Sequence, residues 1–272
     1  MRRAPATAKL NLALVVGPVR DAGKHELTTV YQRIDLADRI AISPGNALSV
    51  EGFAEDTIVR RSLESLAGAA GVEPKWRVRI TKRIPVAAGL GGGSSDAATA
   101  LRLANETLDR PLTAARLRKL ATALGADVPF FLTSGPQVGT GDGTRLTAID
   151  LPQDYWVVLL FPKGAEKSST RDVYEAFDAR DGSRGYRTRR AELRRTLEQV
   201  GSARDLAALP PNDLATSPLA DELTAAGAFR ADVSGAGPVV YGLFLDRGEA
   251  QAAAHSLRPL GRTWLTVPTW YG

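Results

Sequence analysis

The stretch from Trp76 to Leu108, WRVRITKRIPVAAGLGGGSSDAATALRLANETL, constrains the fold more than any other part of the chain. Trp76, Val78, Ile80 and Ile84 fall on one side with Lys82, and Arg77, Arg79, Thr81 and Arg83 on the other. That is the period of a strand with one buried face, and Pro85 ends it. From SSDAA onward the alanines and leucines predict a helix running to Leu108, with a serine as N-cap and Asp96 at its positive end. A flexible linker would not sit between an alternating strand and a capped helix. Glycines permit close backbone approach, and a helix N-terminus gathers unpaired N–H donors, so together they form a seat for an anion. Neither of two common phosphate loops fits. The Walker A pattern needs a lysine after the glycines, and the dinucleotide pattern counted from Gly89 ends on Ser94. On these residues alone, a tight strand-to-helix turn without a ligand stays open.

The remainder of the chain bounds the class. A length of 272 residues suggests one large or two modest domains, and the expected boundary lies at the AIDLPQD stretch, giving units 1–150 and 151–272. No apolar run reaches the ~20 residues of a membrane span. The N-terminus is basic then apolar, but Lys9 and Asn11 interrupt it where a signal peptide would be continuous. The absence of cysteine excludes disulfides and thiolate chemistry. The cytoplasm is the expected compartment and no membrane partner is expected. The formal net charge is +5, and residues 180–195 hold seven arginines against Asp181 and Glu192, so the basicity belongs to that one segment. It carries no aromatic interleaving, and reads as a solvated face rather than a nucleic-acid site. Thr113 is expected to cap a second helix through Leu124, stopped by Gly125. The chain then reads YWVVLLF, a charged helical middle, and strand, turn, strand, helix (near 247–257), strand, with His255 as a structural helix residue.

PVAAGLGGGSSDAA, from 85 to 98, resembles the phosphate loop of the GHMP kinases. AKLNL near the start and VSGAGPVVYGLF, 233–244, are similar to that family's first and third motifs, in the same order. KHELTTVYQRIDLADRI, LGADVPFF and NDL extend the likeness, which is strongest toward the branch acting on diphosphocytidyl-methylerythritol. The resemblance implies an α+β, two-domain fold: an N-terminal domain like ribosomal protein S5 domain 2 and a ferredoxin-like C-terminal domain. It implies an ATP-dependent small-molecule kinase of the non-mevalonate isoprenoid pathway, with Mg2+ carried by the nucleotide and no metal site of the protein's own. ATP phosphates would lie on Pro85, Val86, Ala87, Ala88, Gly89, Leu90, Gly91, Gly92, Gly93, Ser94 and Ser95. Asp127 would be the general base and Lys9 its cationic neighbour. Asn11, Lys24 and His25 would line the substrate site, and Gly235 would touch phosphate or substrate. A monomer or homodimer is expected.

The likeness has departures. Lys24 stands where the close branch has a tyrosine that stacks on cytosine, although His25 beside it is kept, and Thr57 stands where an asparagine near the adenine is usual. A cation is not a stacking platform. Two other readings therefore stand beside the first: a kinase of a different alcohol, or a nucleotide-binding sensor without turnover. If the cytidylyl substrate is retained, Tyr174 or Phe177 must cover the base.

Overall fold

The computed structural model describes residues 1–20, 23–54, 56, 58–165 and 169–270; Thr57 lies outside the described residues. Strand β1 (Arg2–Val19) pairs antiparallel with β2 (His25–Pro44) from Arg2 opposite Ile42 to Val19 opposite His25, with irregularities at Thr7/Ala8, Asn11/Ala13 and Val16/Val19. The strand begins at Arg2, since Ala4 to Thr7 keep pairing with the far half of β2. The same long β2 pairs with β5 (Gln137–Gly141) near its start and with β4 (Trp76–Thr81) near its end. Short strands β3 (Ser49–Glu51) and β6 (Arg145–Ala148) complete a sheet ordered β3-β4-β2-β5-β6, with β1 against β2.

Helices α1 (Ile58–Ala70), α2 (Gly92–Asn105) and α3 (Ala114–Leu124) accompany this sheet. α1 buries Val59, Leu63, Leu66 and Ala67, one stripe at helical spacing, while α2 buries Ala97, Ala98, Ala100, Leu101 and Ala104. The small side chains let α2 lie close to β1, and Ile40, Ile42, Val78 and Ile80 complete that core.

Past Ala148 the chain enters a second sheet, and its first strand there is β7 (Trp156–Pro162). With β8 (Arg230–Val233), β9 (Val240–Phe244) and β10 (Gly261–Thr266) it forms an antiparallel sheet ordered β10-β7-β9-β8. Helices α4 (Thr170–Ala179), α5 (Tyr186–Gln199) and α6 (Leu219–Ala225) fall between β7 and β8, and α7 (Arg247–Ser256) between β9 and β10. Numbered within the sheet, the order is 4-1-3-2, the ferredoxin-like arrangement. Each half has an apolar cluster of its own, and a further one is shared between them. Leu10, Leu12, Val15, Val30 and Ile34 share one apolar cluster with Tyr155, Val157 and Leu159, and with Leu206, Tyr241 and Leu243.

Two local expectations fail on the same helix. Gly91, not a serine, precedes α2; its φ is +70° and no side chain caps the helix. A Cβ at Gly91 would stand 3.0 Å from Phe131 and 3.1 Å from the Lys9 stem, so only glycine fits the turn. The helix therefore starts at Gly92, which carries Asp96 past the first turn into a buried bond with Lys82, 2.8 Å away. α2 also stops at Asn105 rather than Leu108, since the Asn105 side chain exchanges hydrogen bonds with the Leu112 main chain, 2.7 and 3.1 Å.

Candidate active site

A cavity of about 840 Å³ opens between the halves, with Lys9, Asn11, Ala87, Gly89, Asp127 and Gly235 among its lining residues. Lys24 and His25 line it too, while of the expected phosphate loop Ala87, Gly89 and Ser94 reach it and Gly91, Gly92, Gly93 and Ser95 do not. Its floor comes from β1. The strand period puts Lys9 and Asn11 on one face, and Lys9 Nζ donates to Asn11 Oδ1 over 2.5 Å. Asn11 Nδ2 donates to Thr29 Oγ1, which donates to the Ala13 carbonyl, so the amide orientation is fixed by a chain of bonds. Lys9 is 3% exposed. Its Nζ lies 3.6 Å from Asp127 Oδ2, a charge contact longer than a hydrogen bond.

Asp127 does not cap the 3-10 turn Pro129–Leu132, which begins from Val128 without any side-chain cap. The carboxylate is turned into the cavity, where Tyr31 on β2 donates to Oδ1 at 3.0 Å. Sequence reasoning passed over Tyr31. Its signal was parity: it sits an even number of residues along β2 from His25, on the same strand face.

The glycine loop divides by role. Ala88 and Leu90 are core residues, and Pro85 and Val86 lie before the cavity. The Ser95 N–H is spent within the helix on the Gly91 carbonyl, 2.9 Å. Gly92, Gly93 and Ser94 open α2, and first-turn N–H groups have no acceptor within a helix. They are the donors an anion at this helix end would meet, and Ser94 lines the cavity. The loop is locked from the second half: Ser234 Oγ donates to the Gly89 carbonyl at 3.0 Å. Gly89 has φ +78°, and a Cβ there would come within 2.0 Å of the Ser234 carbonyl oxygen. Gly235, at φ +59°, passes close to Lys9 Nζ and Asn11 Oδ1, each 3.3 Å from where its Cβ would stand.

Asn212 of NDL lies outside the cavity lining and acts as a joint. It donates to the carbonyls of Val233 and Gly235, and its neighbour Asp213 accepts from Val16 N and Arg189. Arg189 also reaches the carbonyls of Val16 and Gly182, so the arginine-rich segment is partly structural, while Arg187, Arg194 and Arg195 are exposed as expected. His255 is exposed in the last turn of α7.

The far end of the cavity is aromatic. His25 Nδ1 donates to the Gly17 carbonyl at 2.8 Å, and its ring stacks on Tyr174 with centroids 4.8 Å apart. Asp178 lies 3.4 Å from Nε2. Phe177 meets the His25 edge but is buried behind it, so of the two candidate aromatics Tyr174 is the one that lines the cavity. Burial, then the Asp127 charge, pushes the Tyr174 hydroxyl up to about 12. Lys24 is 2.9 Å from Asp142 Oδ2. Burial would raise the Asp142 carboxyl, but bonds from Thr144 and Lys24 outweigh it and bring it to about 2.

Residues 57–135 match the family described as GHMP kinases N terminal domain, and residues 192–261 match GHMP kinases C terminal. A 4-diphosphocytidyl-2-C-methyl-D-erythritol kinase of Geobacter metallireducens is 38% identical over 269 residues, covering 93% of this chain and 92% of its own. A protein of that name from Pelotomaculum thermopropionicum is 36% identical, covering 97% and 96%. A crystal structure of 4-(cytidine 5'-diphospho)-2C-methyl-D-erythritol kinase superposes with a TM-score of 0.81 at 31% identity, over 98% of this chain and 99% of that one.

Proposed function

The chain belongs to the GHMP kinase family, and from that premise we propose that it moves the γ-phosphoryl group of ATP to the 2-hydroxyl of 4-diphosphocytidyl-2-C-methyl-D-erythritol. The observation that carries this is the Lys9–Asp127 pair facing the α2 N-terminus across one cavity. In phosphoryl transfer a protein mainly positions groups and offsets charge. The N–H groups of Gly92, Gly93 and Ser94 hold the phosphates, and Asp127 takes the proton of the acceptor hydroxyl as its oxygen attacks phosphorus. Lys9 offsets charge on that oxygen, and Asn11 holds Lys9 in place. Tyr174 and His25 accept the cytosine, so an aromatic face is available although position 24 carries a lysine. Among the described residues no three His, Asp or Glu side chains gather to hold a metal; Mg2+ binds few protein groups and enters on the phosphates, which the open seat accommodates. Units 1–150 and 151–272 are the working domains, and the compartment is the cytoplasm.

The experiment is a phosphate-transfer assay over a panel of alcohols that includes the cytidylyl substrate. Turnover of that substrate near ~10⁴ M⁻¹s⁻¹ supports the assignment. Transfer to another alcohol alone would move the function to a different acceptor, and ATP binding without transfer to any would make the protein a sensor.

A further inference from the structure

Tyr31 is a buried phenol in a catalytic cavity, used by none of the steps above. Its ring lies in a slot that admits nothing larger. A Cβ on Gly139 would stand 2.7 Å from the ring, and one on Gly143 2.9 Å from its hydroxyl. On the other side it stacks on Phe130, with centroids 4.9 Å apart. Two residues further along β2, Arg33 donates to the carbonyls of Phe130 and Thr133 at 3.1 and 2.7 Å, and its guanidinium lies over the Phe130 and Phe131 rings. One strand thus holds the segment bearing Asp127 by its side chain, through Tyr31, and by its main chain, through Arg33.

We infer that Tyr31 is a positioning residue for the base: its hydroxyl occupies Asp127 Oδ1 and leaves Oδ2, the oxygen beside Lys9, to take the substrate proton. This rests on the assignment of Asp127 as base in the proposed function. A carboxylate with two equivalent oxygens can rotate and present either; one oxygen held by a phenol in a rigid slot presents the other. Burial first, then the Asp127 charge, raises the Tyr31 hydroxyl well above its ordinary range, so it remains a donor wherever the enzyme works. The groups facing this pair are Lys9 from β1, Tyr174 from α4, and Asp142 from the turn after β5, which is itself paired to Lys24. His25 is turned to Gly17, Tyr174 and Asp178 instead.

Tyr31→Phe keeps the ring and its packing and removes only the hydroxyl. The variant should lose about tenfold in kcat, what a hydrogen bond to a charged group commonly carries. Its KM for ATP should stay within twofold. Its KM for the acceptor alcohol should also hold within about twofold, so that the loss falls on kcat. Asp127→Asn and the double variant are measured beside it, and the double should show no further loss beyond Asp127→Asn. Unchanged kcat in Tyr31→Phe, with Asp127→Asn still inactive, would overturn the role of Tyr31 and leave the base standing. A lowered thermal midpoint together with a double variant that loses more than Asp127→Asn alone would also overturn it, as a packing effect. An Asp127→Asn enzyme retaining over a tenth of wild-type turnover would instead remove the base itself.

Discussion

Asp127 has a neighbour on each oxygen, a phenol at 3.0 Å and an ammonium at 3.6 Å, so the carboxylate is held from both sides. Losing a positioned base costs at least ~10²-fold in turnover, so Asp127→Asn should fall by that much while calorimetry finds ATP affinity nearly unchanged. Specificity belongs to a different set of side chains. Tyr174 gives one face to His25 and lines the cavity with the rest, so Tyr174→Leu should raise KM for the cytidylyl alcohol by about fivefold or more, the worth of an aromatic contact, with ATP kinetics unaltered. Lys24 is already paired with Asp142 rather than waiting for a base, so Lys24→Tyr should change that KM by less than tenfold. Improved cytidylyl turnover in Lys24→Tyr, from a poor wild type, would favour a different natural acceptor. Lys9 and Asp127 were legible through the family resemblance, whose motifs contain them, and Asn11 through the strand period that puts it on the face of Lys9. Tyr31 and Asp142 were not, because the bonds from Tyr31 to Asp127 and from Lys24 to Asp142 join residues about a hundred apart.

The strand–loop–helix element was legible in outline and wrong at its hinge. Alternation and the alanine run located β4 and α2. The start of α2 was set by Phe131 and Lys9 crowding Gly91, contacts that local sequence does not encode. That shift of the helix start brings Asp96 beside Asp38 and Lys82. Lys82 bridges both carboxylates, the bond to Asp38 being the closer, and Asp38 also accepts from Arg83 N and Ile84 N. Two buried acids share one ammonium, so burial, then repulsion from Asp38, raises the Asp96 carboxyl to about 7. An acid raised by folding binds more protons in the native state than in the unfolded one between its two pKa values. Stability from this site is therefore present at low pH and lost as pH climbs from about 4 to about 7. Asp96→Asn keeps an acceptor for Lys82 without the charge. It should match wild type near pH 4 and melt ~3 °C higher at pH 8, on the order of 1 kcal/mol for a chain of this size. An Asp96→Asn protein that melts lower at pH 8 would show that the ion pair with Lys82 outweighs the burial cost. The loop itself is tested by Gly92→Val. A Cβ there meets the buried Ile84 side chain at 3.0 Å, so a valine must shift the helix start whose N–H groups form the proposed seat, and ATP affinity should fall while the protein stays folded. Unchanged affinity by calorimetry would return the loop to a plain turn.

At the scale of the molecule, the family resemblance implied two α+β halves and the late strand–helix pattern agreed with the second, but neither told how tightly they are joined. The joint is a buried cation. Arg230 on β8 donates to the carbonyls of Leu209, Leu12 and Pro210 at 2.6, 2.7 and 3.0 Å, and its charge is met by Asp232 at 3.2 Å. Leu12 is on β1, so the guanidinium ties the second sheet to the first. The tail returns as well, with Asp35 N donating to the Val267 carbonyl and Thr269 N to the Arg33 carbonyl, both at 3.0 Å. Together with the apolar cluster that draws on both halves, this leaves each half with part of its apolar surface uncovered when the other unfolds. Thermal unfolding should therefore be one cooperative transition, with the calorimetric and van't Hoff enthalpies equal. Arg230→Met removes the cation and leaves Asp232 buried without its partner, a change that costs ~3 kcal/mol or more. The midpoint should then drop by about 6 °C or more while the transition stays single, because the shared cluster remains. Two resolved steps in the wild type, each with its own enthalpy, would mean that the halves fold independently and that the cavity between them can open without unfolding either.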